Sequence, residues 1–268
     1  MKDFWQKQFT EPLFPDLLWS RPENKMQAGK LLIIGGNAHG FSAPATAYTE
    51  AEKAGIGTTR VLLPDHIRRQ LLNFHGTSLE LEYAPSTPIG SFASRALAEM
   101  LDHSQWADVV LLAGDLGRNS ETAIAMESFS KKYSRKLVIT KDAIDYFYAA
   151  PTTVLNREDT VLVLTVAQLQ RLVTELHFTQ AITFKMDMLH MVDWLHAFTQ
   201  QYRAGLVIRH LDTIFVALGG RVSSTYSPQN IEDSWRVATA AHASTWWCQN
   251  DSKPFEALTM SVFVKPEE

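Results

Sequence analysis

The chain has 268 residues and weighs 30.2 kDa, with 46% hydrophobic and 20% charged residues and a formal net charge of -4. That composition supplies a large core and excludes a disordered chain. With 25 Lys and Arg against 29 Asp and Glu, no basic excess is present to coat a phosphate backbone, so nucleic acid is not an expected partner.

Residues 1–29 read as a mixed leader that packs on the domain, because prolines at 12, 15 and 22 forbid a long helix there. The charged opening Met1-Lys2-Asp3 lacks the apolar run of a signal peptide. No apolar stretch approaches the ~18 residues that a membrane span needs. A soluble, cytoplasmic protein is the expectation, with no membrane contact. The run 30–36, Lys-Leu-Leu-Ile-Ile-Gly-Gly, predicts a strand buried on both faces. A helix follows over 45–54, closed by Gly55 and Gly57. Strands are predicted at 59–64 and 79–83, a helix at 92–103, and a buried strand at 107–114. Asn119 is placed to cap the next helix. Further strands fall at 137–140 and 160–165, helices at 166–176 and 186–202, and a strand pair at 206–209 and 213–218 that runs into the turn Gly219-Gly220. An Ala- and Trp-rich helix over 232–249 closes the series. Its Trp246-Trp247 reads as core, or as a subunit contact if exposed.

No Gly/Ser linker or internal repeat interrupts this order, so residues 1–268 read as one domain. Alternating strands and helices imply right-handed βαβ units, a parallel sheet and helices on both faces. Ligands bind such sheets at the carboxyl ends of the strands. The loops to inspect are 35–44, 113–119, 140–145, 209–213 and 228–233. The one cysteine, Cys248, makes neither an internal disulfide nor a Cys-rich zinc site and reads as a buried thiol. The nine histidines show no i,i+4 pair and no His-Glu motif, so no metal site is expected from them.

These loops carry a recognisable order. The stretch 24–36 resembles the opening of the ADP/ATP-dependent NAD(P)H-hydrate dehydratases, where a Lys-Gly-x-x-Gly turn leads into an apolar strand and Gly-Gly-Ser. Phe41-Ser42-Ala43-Pro44 is similar to that family's Thr-Gly-Ala-Pro. Lys53-Ala54-Gly55-Ile56-Gly57 is similar to its Arg-x-Gly-Ala-Gly. Leu112-Ala113-Gly114-Asp115-Leu116-Gly117-Arg118 resembles Ile-Gly-Pro-Gly-Leu-Gly-Arg, and Thr140-Lys141-Asp142-Ala143-Ile144 resembles Asp-Ala-Asp-Ala-Leu. Val207-Ile208-Arg209-His210-Leu211-Asp212-Thr213-Ile214 resembles Val-Leu-Lys-Gly-x-x-Thr-Val. Asn230-Ile231-Glu232-Asp233 stands where the family has Gly-Ser-Gly-Asp. No single match is specific, but their collinear order over about 24–250 is.

The resemblance implies a ribokinase-like three-layer α/β/α sandwich with a mainly parallel central sheet. It implies ADP or ATP as co-substrate, with Mg²⁺ as an optional companion, and hydrated nicotinamide cofactor, NAD(P)HX, as substrate. It places Asp233 as catalytic base, Arg209, His210, Thr213 and Glu232 around the nucleotide, and Ala43 and Gly117 beside the substrate. A homo-oligomer is expected. The chain also departs from the pattern. Glu232 and His210 replace glycines that let phosphates approach the backbone, which predicts weakened adenine-nucleotide binding. The family's Thr-Pro-His-Pro-Gly-Glu loop is shortened to Thr165-Val166-Ala167-Gln168, without His or Glu. Two rival readings therefore stand beside the enzyme. One is a catalytically degenerate homologue that binds ligand or builds an oligomer; the other is a small-molecule kinase on the same fold.

Overall fold

The computed structural model describes residues 2–71, 79–176, 178, 180–228 and 235–263. In chain order the elements are β1 (Trp5–Gln8), α1 (Asp16–Trp19), β2 (Lys30–Gly35), α2 (Ser42–Lys53), β3 (Thr58–Pro64), α3 (Arg68–Leu71), β4 (Glu80–Ala84), α4 (Leu97–Trp106), β5 (Val109–Gly114) and α5 (Ser120–Lys132). They continue with β6 (Lys136–Thr140), a 3-10 segment (Lys141–Phe147), α6 (Thr152–Leu155), β7 (Thr160–Thr165), α7 (Val166–Thr174), α8 (Met188–Gln201), β8 (Gly205–His210), β9 (Thr213–Leu218), β10 (Arg221–Tyr226), α9 (Trp235–Gln249) and α10 (Pro254–Ser261).

Among the described residues, all the strands join one sheet in the order β1-β10-β9-β8-β7-β6-β5-β2-β3-β4. Pairing is parallel from β4 to β8 and between β1 and β10, and antiparallel on both sides of β9. The central strands are continuous apolar runs because both faces are covered. Leu32, Ile34, Val110, Leu112, Leu137 and Ile139 face α4, α5, α7 and α8 on one side. Leu31, Ile33, Val109, Leu111 and Val138 face α2, α9 and α10 on the other. This is the three-layer α/β/α arrangement with a mainly parallel sheet.

The predicted strands and helices of the middle of the chain lie within a few residues of the observed ones, and Asn119 caps α5 as expected, its side chain accepting from the N–H groups of Glu121 and Thr122. Beyond the short helices α1, α3 and α6, which were not expected, three elements differ. The leader contributes an edge strand, β1, registered on β10 from Trp5↔Val222 to Gln8↔Thr225. The strand β10 itself was not expected, since Ser223, Ser224 and Thr225 lack the continuous apolar run of the central strands. These side chains are buried because they are satisfied: Ser223 shares a hydrogen bond with Thr259 at 2.7 Å, Trp5 donates to Ser224 at 2.9 Å, and Gln8 donates to Thr225 at 3.1 Å. Helix α10 was likewise missed. The tryptophan pair is core, with Trp246 7% and Trp247 3% exposed, so it offers no surface for a subunit contact. No described helix is long and apolar enough to cross a membrane.

Candidate functional site

The sheet order creates a switch point between β2 and β5. From β2 the chain winds outward through β3 and β4, and from β5 it winds the other way through β6, β7 and β8. A crevice opens at the carboxyl ends of strands that part in this way. Here Gly35 pairs with Gly114 across a register irregularity, and the Gly36 N–H donates to the Gly114 carbonyl at 3.0 Å. A β-carbon on Gly35 would come within 2.5 Å of that same oxygen, so the close approach of the two strand ends requires glycine there.

Asp115 closes the crevice. Its backbone is in the left-handed region at φ 56°. One carboxylate oxygen accepts from the Ala43 N–H at 2.7 Å and the Ser42 hydroxyl at 3.0 Å, in the first turn of α2, and the other pairs with the Lys141 ammonium. Burial pushes the Asp115 carboxyl up, but Lys141 and the donors from Ala43 and Ser42 outweigh it and hold the group below the usual carboxylate range. Asp142 lies beneath, accepting from the N–H groups of Asp115 at 2.7 Å and Leu116 at 2.9 Å. Burial raises its carboxyl despite those donors. Asn37 donates to the Asp115 carbonyl at 2.5 Å. The Tyr146 hydroxyl donates to the Gly117 carbonyl at 2.6 Å, and burial pushes that phenol up to about 12.

Ala43 is hydrogen-bonded to Asp115, which stands two residues before Gly117 in the same loop. Ala43 is 2% exposed and its N–H is taken, whereas Gly117, at φ 75°, opens on a cleft of about 560 Å³. Arg118, Asn119, Asp145, Tyr148 and Arg171 line this cleft, and the Arg171 guanidinium lies 4.3 Å above the Tyr148 ring.

The residues assigned to nucleotide lie on the same edge, at the ends of β8 and β9. Arg209 pairs with Ile214 across the turn and donates to the Ser227 carbonyl at 2.8 Å. His210 is 7% exposed and its Nε2 faces the Met186 carbonyl at 2.9 Å, so its ring is turned into the fold. Thr213 is buried beside it in the β8–β9 register. Asp233 and Glu232 lie outside the described residues. Among the described residues, no group of three or more His, Cys, Asp or Glu is placed to hold a metal ion.

Where the dehydratase family has its histidine loop, β7 runs into α7 without a break. Thr165 and Gln168 form a capping box, each side chain bonding the other residue's backbone. Sequence reasoning did not anticipate the Asp115–Lys141 pair or the role of Gln168. A signal was present for the first, since Asp115 and Lys141 both stand where the family has small residues.

No family model matches the chain. A curated relative, the bifunctional NAD(P)H-hydrate repair enzyme of Dictyoglomus turgidum, is 22% identical over 200 residues, which cover 73% of this chain. In sequence the chain is thus similar, at low identity, to an NAD(P)H-hydrate repair enzyme. The match takes in 37% of that bifunctional relative's length. The fold is the ribokinase-like one. A ribokinase-like superfamily protein of Enterococcus faecalis superposes with a TM-score of 0.72 at 14% identity, over 97% of this chain and 86% of that one. The ADP/ATP-dependent NAD(P)H-hydrate dehydratase of Bacillus subtilis, co-crystallised with ATP and Mg²⁺ and soaked with CoA, superposes with a TM-score of 0.62 at 12% identity, over 94% of this chain and 86% of that one.

Proposed function

We propose that the chain dehydrates NAD(P)HX to NAD(P)H with consumption of ADP or ATP. The observation that carries this reading is that, at one switch-point crevice, Asp115 accepts from the Ala43 N–H and stands two residues before Gly117, and Ala43 and Gly117 are the residues that the resemblance implies beside the substrate. In this reading Asp233, at the approach to α9, accepts the proton of the ring hydroxyl. The hydroxyl oxygen attacks the terminal phosphorus of the nucleotide, whose bridging P–O bond breaks and releases the shortened nucleotide. The ring C–O bond then breaks, phosphate leaves with its electrons, and loss of a neighbouring C–H proton restores the double bond. Arg209 stands near the nucleotide phosphates, while Ala43 and Gly117 flank the nicotinamide ring. A magnesium ion, where one accompanies the nucleotide, would neutralise phosphate charge. Asp115 and Asp142 already spend their oxygens on N–H and ammonium donors, and they do not form a ready cation site.

A second reading is a homologue that has lost catalysis and acts as a ligand-binding or oligomeric protein. It is favoured by a specific observation: the Asp115 carboxylate occupies the Ala43 N–H, and Gln168 stands in place of the histidine loop. The two are separated by NADH recovery from NADHX with ADP or ATP, followed by absorbance. The enzyme reading expects turnover in the wild type and a ~10²–10⁴-fold loss in Asp233→Asn, with an unchanged thermal melt because the amide keeps the shape. Equal rates in the two would remove Asp233 from the chemistry. No rate in a wild type that melts cooperatively would establish the second reading.

A further inference from the structure

The carboxyl edge carries two cations that the reading above leaves without a task. Lys141 follows β6 and holds the left-handed conformation, φ 54°, which a non-glycine residue keeps only where the surroundings over-determine it. Arg236 stands in the first turn of α9, whose backbone meets β6: the Thr140 hydroxyl lies 3.4 Å from the Arg236 carbonyl that it donates to. Both cations are tied to one side chain. Gln168, 9% exposed, donates from Nε2 to the Lys141 carbonyl at 2.7 Å and accepts on Oε1 from Arg236 Nη1 at 2.9 Å. The same carboxamide accepts from the Thr165 N–H at 3.2 Å, which anchors it to the end of β7.

We infer that Lys141 and Arg236 form the phosphate-facing cation pair of this site and that Gln168 is the positioning residue holding both. The inference rests on the nucleotide-dependent reading above and names the groups that would take the phosphate oxygens of a nucleoside diphosphate. Three considerations support it. The first is place: the pair sits at the ends of β6 and β7, between the switch-point crevice at β5 and Arg209 at the end of β8. Phosphates passing from the nucleotide loop to the substrate side would cross this stretch. The second is donor capacity. An ammonium has three N–H donors and a guanidinium five. Among the described residues, Asp115 takes a donor from Lys141, and Gln168 takes one from Arg236. The Lys141 side chain stays 30% exposed, so its remaining donors are accessible. The third is charge. Asn230 and Glu232 stand where the family cradles phosphate on glycine backbone, and Glu232 adds a negative charge. Two fixed cations, making charge-assisted bonds, compensate for that loss.

The test measures ADP binding by isothermal titration, at low and high salt, in five forms of the full chain: wild type, Arg236→Met, Arg236→Lys, the double variant Lys141→Met/Asp115→Asn, and Gln168→Leu. The double variant avoids leaving the Asp115 carboxylate buried without its cation. Thermal melting is the control for folding, and Arg236→Lys is the conservative rescue. The expected result is at least a tenfold loss of ADP affinity in Arg236→Met and in the double variant, partial recovery in Arg236→Lys, and a smaller loss in Gln168→Leu. Affinity should also fall less steeply with salt in the first two, an electrostatic signature that a merely structural role would not produce. ADP affinities within twofold of wild type, an unaltered salt dependence, or no ADP binding by the wild type would each overturn the inference. Its failure is distinct from failure of the dehydratase reading. Cation-dependent ADP binding without NADH recovery keeps the pair and removes the reaction. NADH recovery with a wild-type KM for ADP in both cation variants keeps the reaction and removes the pair.

Discussion

Gly114 shows how tightly single residues are specified at the switch point. Its φ is 100°, and a β-carbon there would meet an Asp142 carboxylate oxygen at 2.5 Å and the Lys141 β-carbon at 2.8 Å. Gly114→Ala is expected to lower the free energy of unfolding by about 1–3 kcal/mol from backbone strain alone, and more if Asp142 cannot move. Urea denaturation reads this directly, and an unshifted midpoint would show that the strand end relaxes. The neighbouring Asp115 and Lys141 occupy left-handed conformations without being glycine. Their mutual ion pair, the N–H of Ala43 and the carboxamide of Gln168 keep them there. The sequence displays Asp115 as an oddity against the family pattern. It does not display Lys141 as its partner, because the two follow the ends of adjacent strands and meet only in three dimensions.

At the scale of elements, helices α2 and α9 frame the carboxyl edge and pack along each other. Their contact includes a His242–Glu50 pair at 3.1 Å, with Lys53 on the far side of Glu50 at 2.7 Å. Burial lowers the His242 pKa from its ordinary value of 6.5, and this outweighs the attraction of Glu50, which raises it. The unfolded chain therefore binds a proton near pH 6.5 that the folded chain refuses. Stability from this group is complete above pH 6.5 and is lost as pH falls below it, toward the depressed folded value. His242→Gln is expected to flatten the decline of the urea midpoint between about pH 7 and pH 5.5. A decline as steep as in the wild type would place the proton uptake elsewhere. The cap of α5 was legible from Asn119, whereas the Thr165–Gln168 box of α7 is a local signal that the sequence expectations left out. That Gln168 also reaches Lys141 and Arg236 is not local, and no helix rule announces it.

For the molecule as a whole, the sheet extends beyond the parallel strands through β9 and β10 to an edge formed by the start of the chain. Trp5 is 7% exposed there and joins the larger core cluster, while Gln8 is fully buried and donates to the Thr259 carbonyl at 3.0 Å. Trp5→Ala is expected to cost about 3–5 kcal/mol, the usual range for removing a buried aromatic ring. A single cooperative transition at lower temperature, followed by circular dichroism, would match that expectation. A melt indistinguishable from wild type would mean that β1 contributes nothing to the sheet.

The apolar runs 30–36, 107–114, 137–140 and 160–165 by themselves determined a buried parallel sheet, because only strands covered on both faces tolerate such continuity. The glycine- and proline-bearing loops between them carried the resemblance to the hydrate-repair enzymes, since collinear spacing survives where individual residues have changed. Tertiary structure decided the rest. Polar strands such as β10 fold only when neighbours satisfy their hydroxyls, and that supply comes from Trp5, Gln8 and Thr259, far away along the chain. The crevice followed the same rule: Ala43 and Gly117 were proposed one at a time from the sequence. The Asp115–Lys141 pair and the carboxamide joining Lys141 to Arg236 arise from groups separated in sequence, whose bonding energy exists only once the strands have parted at the switch point.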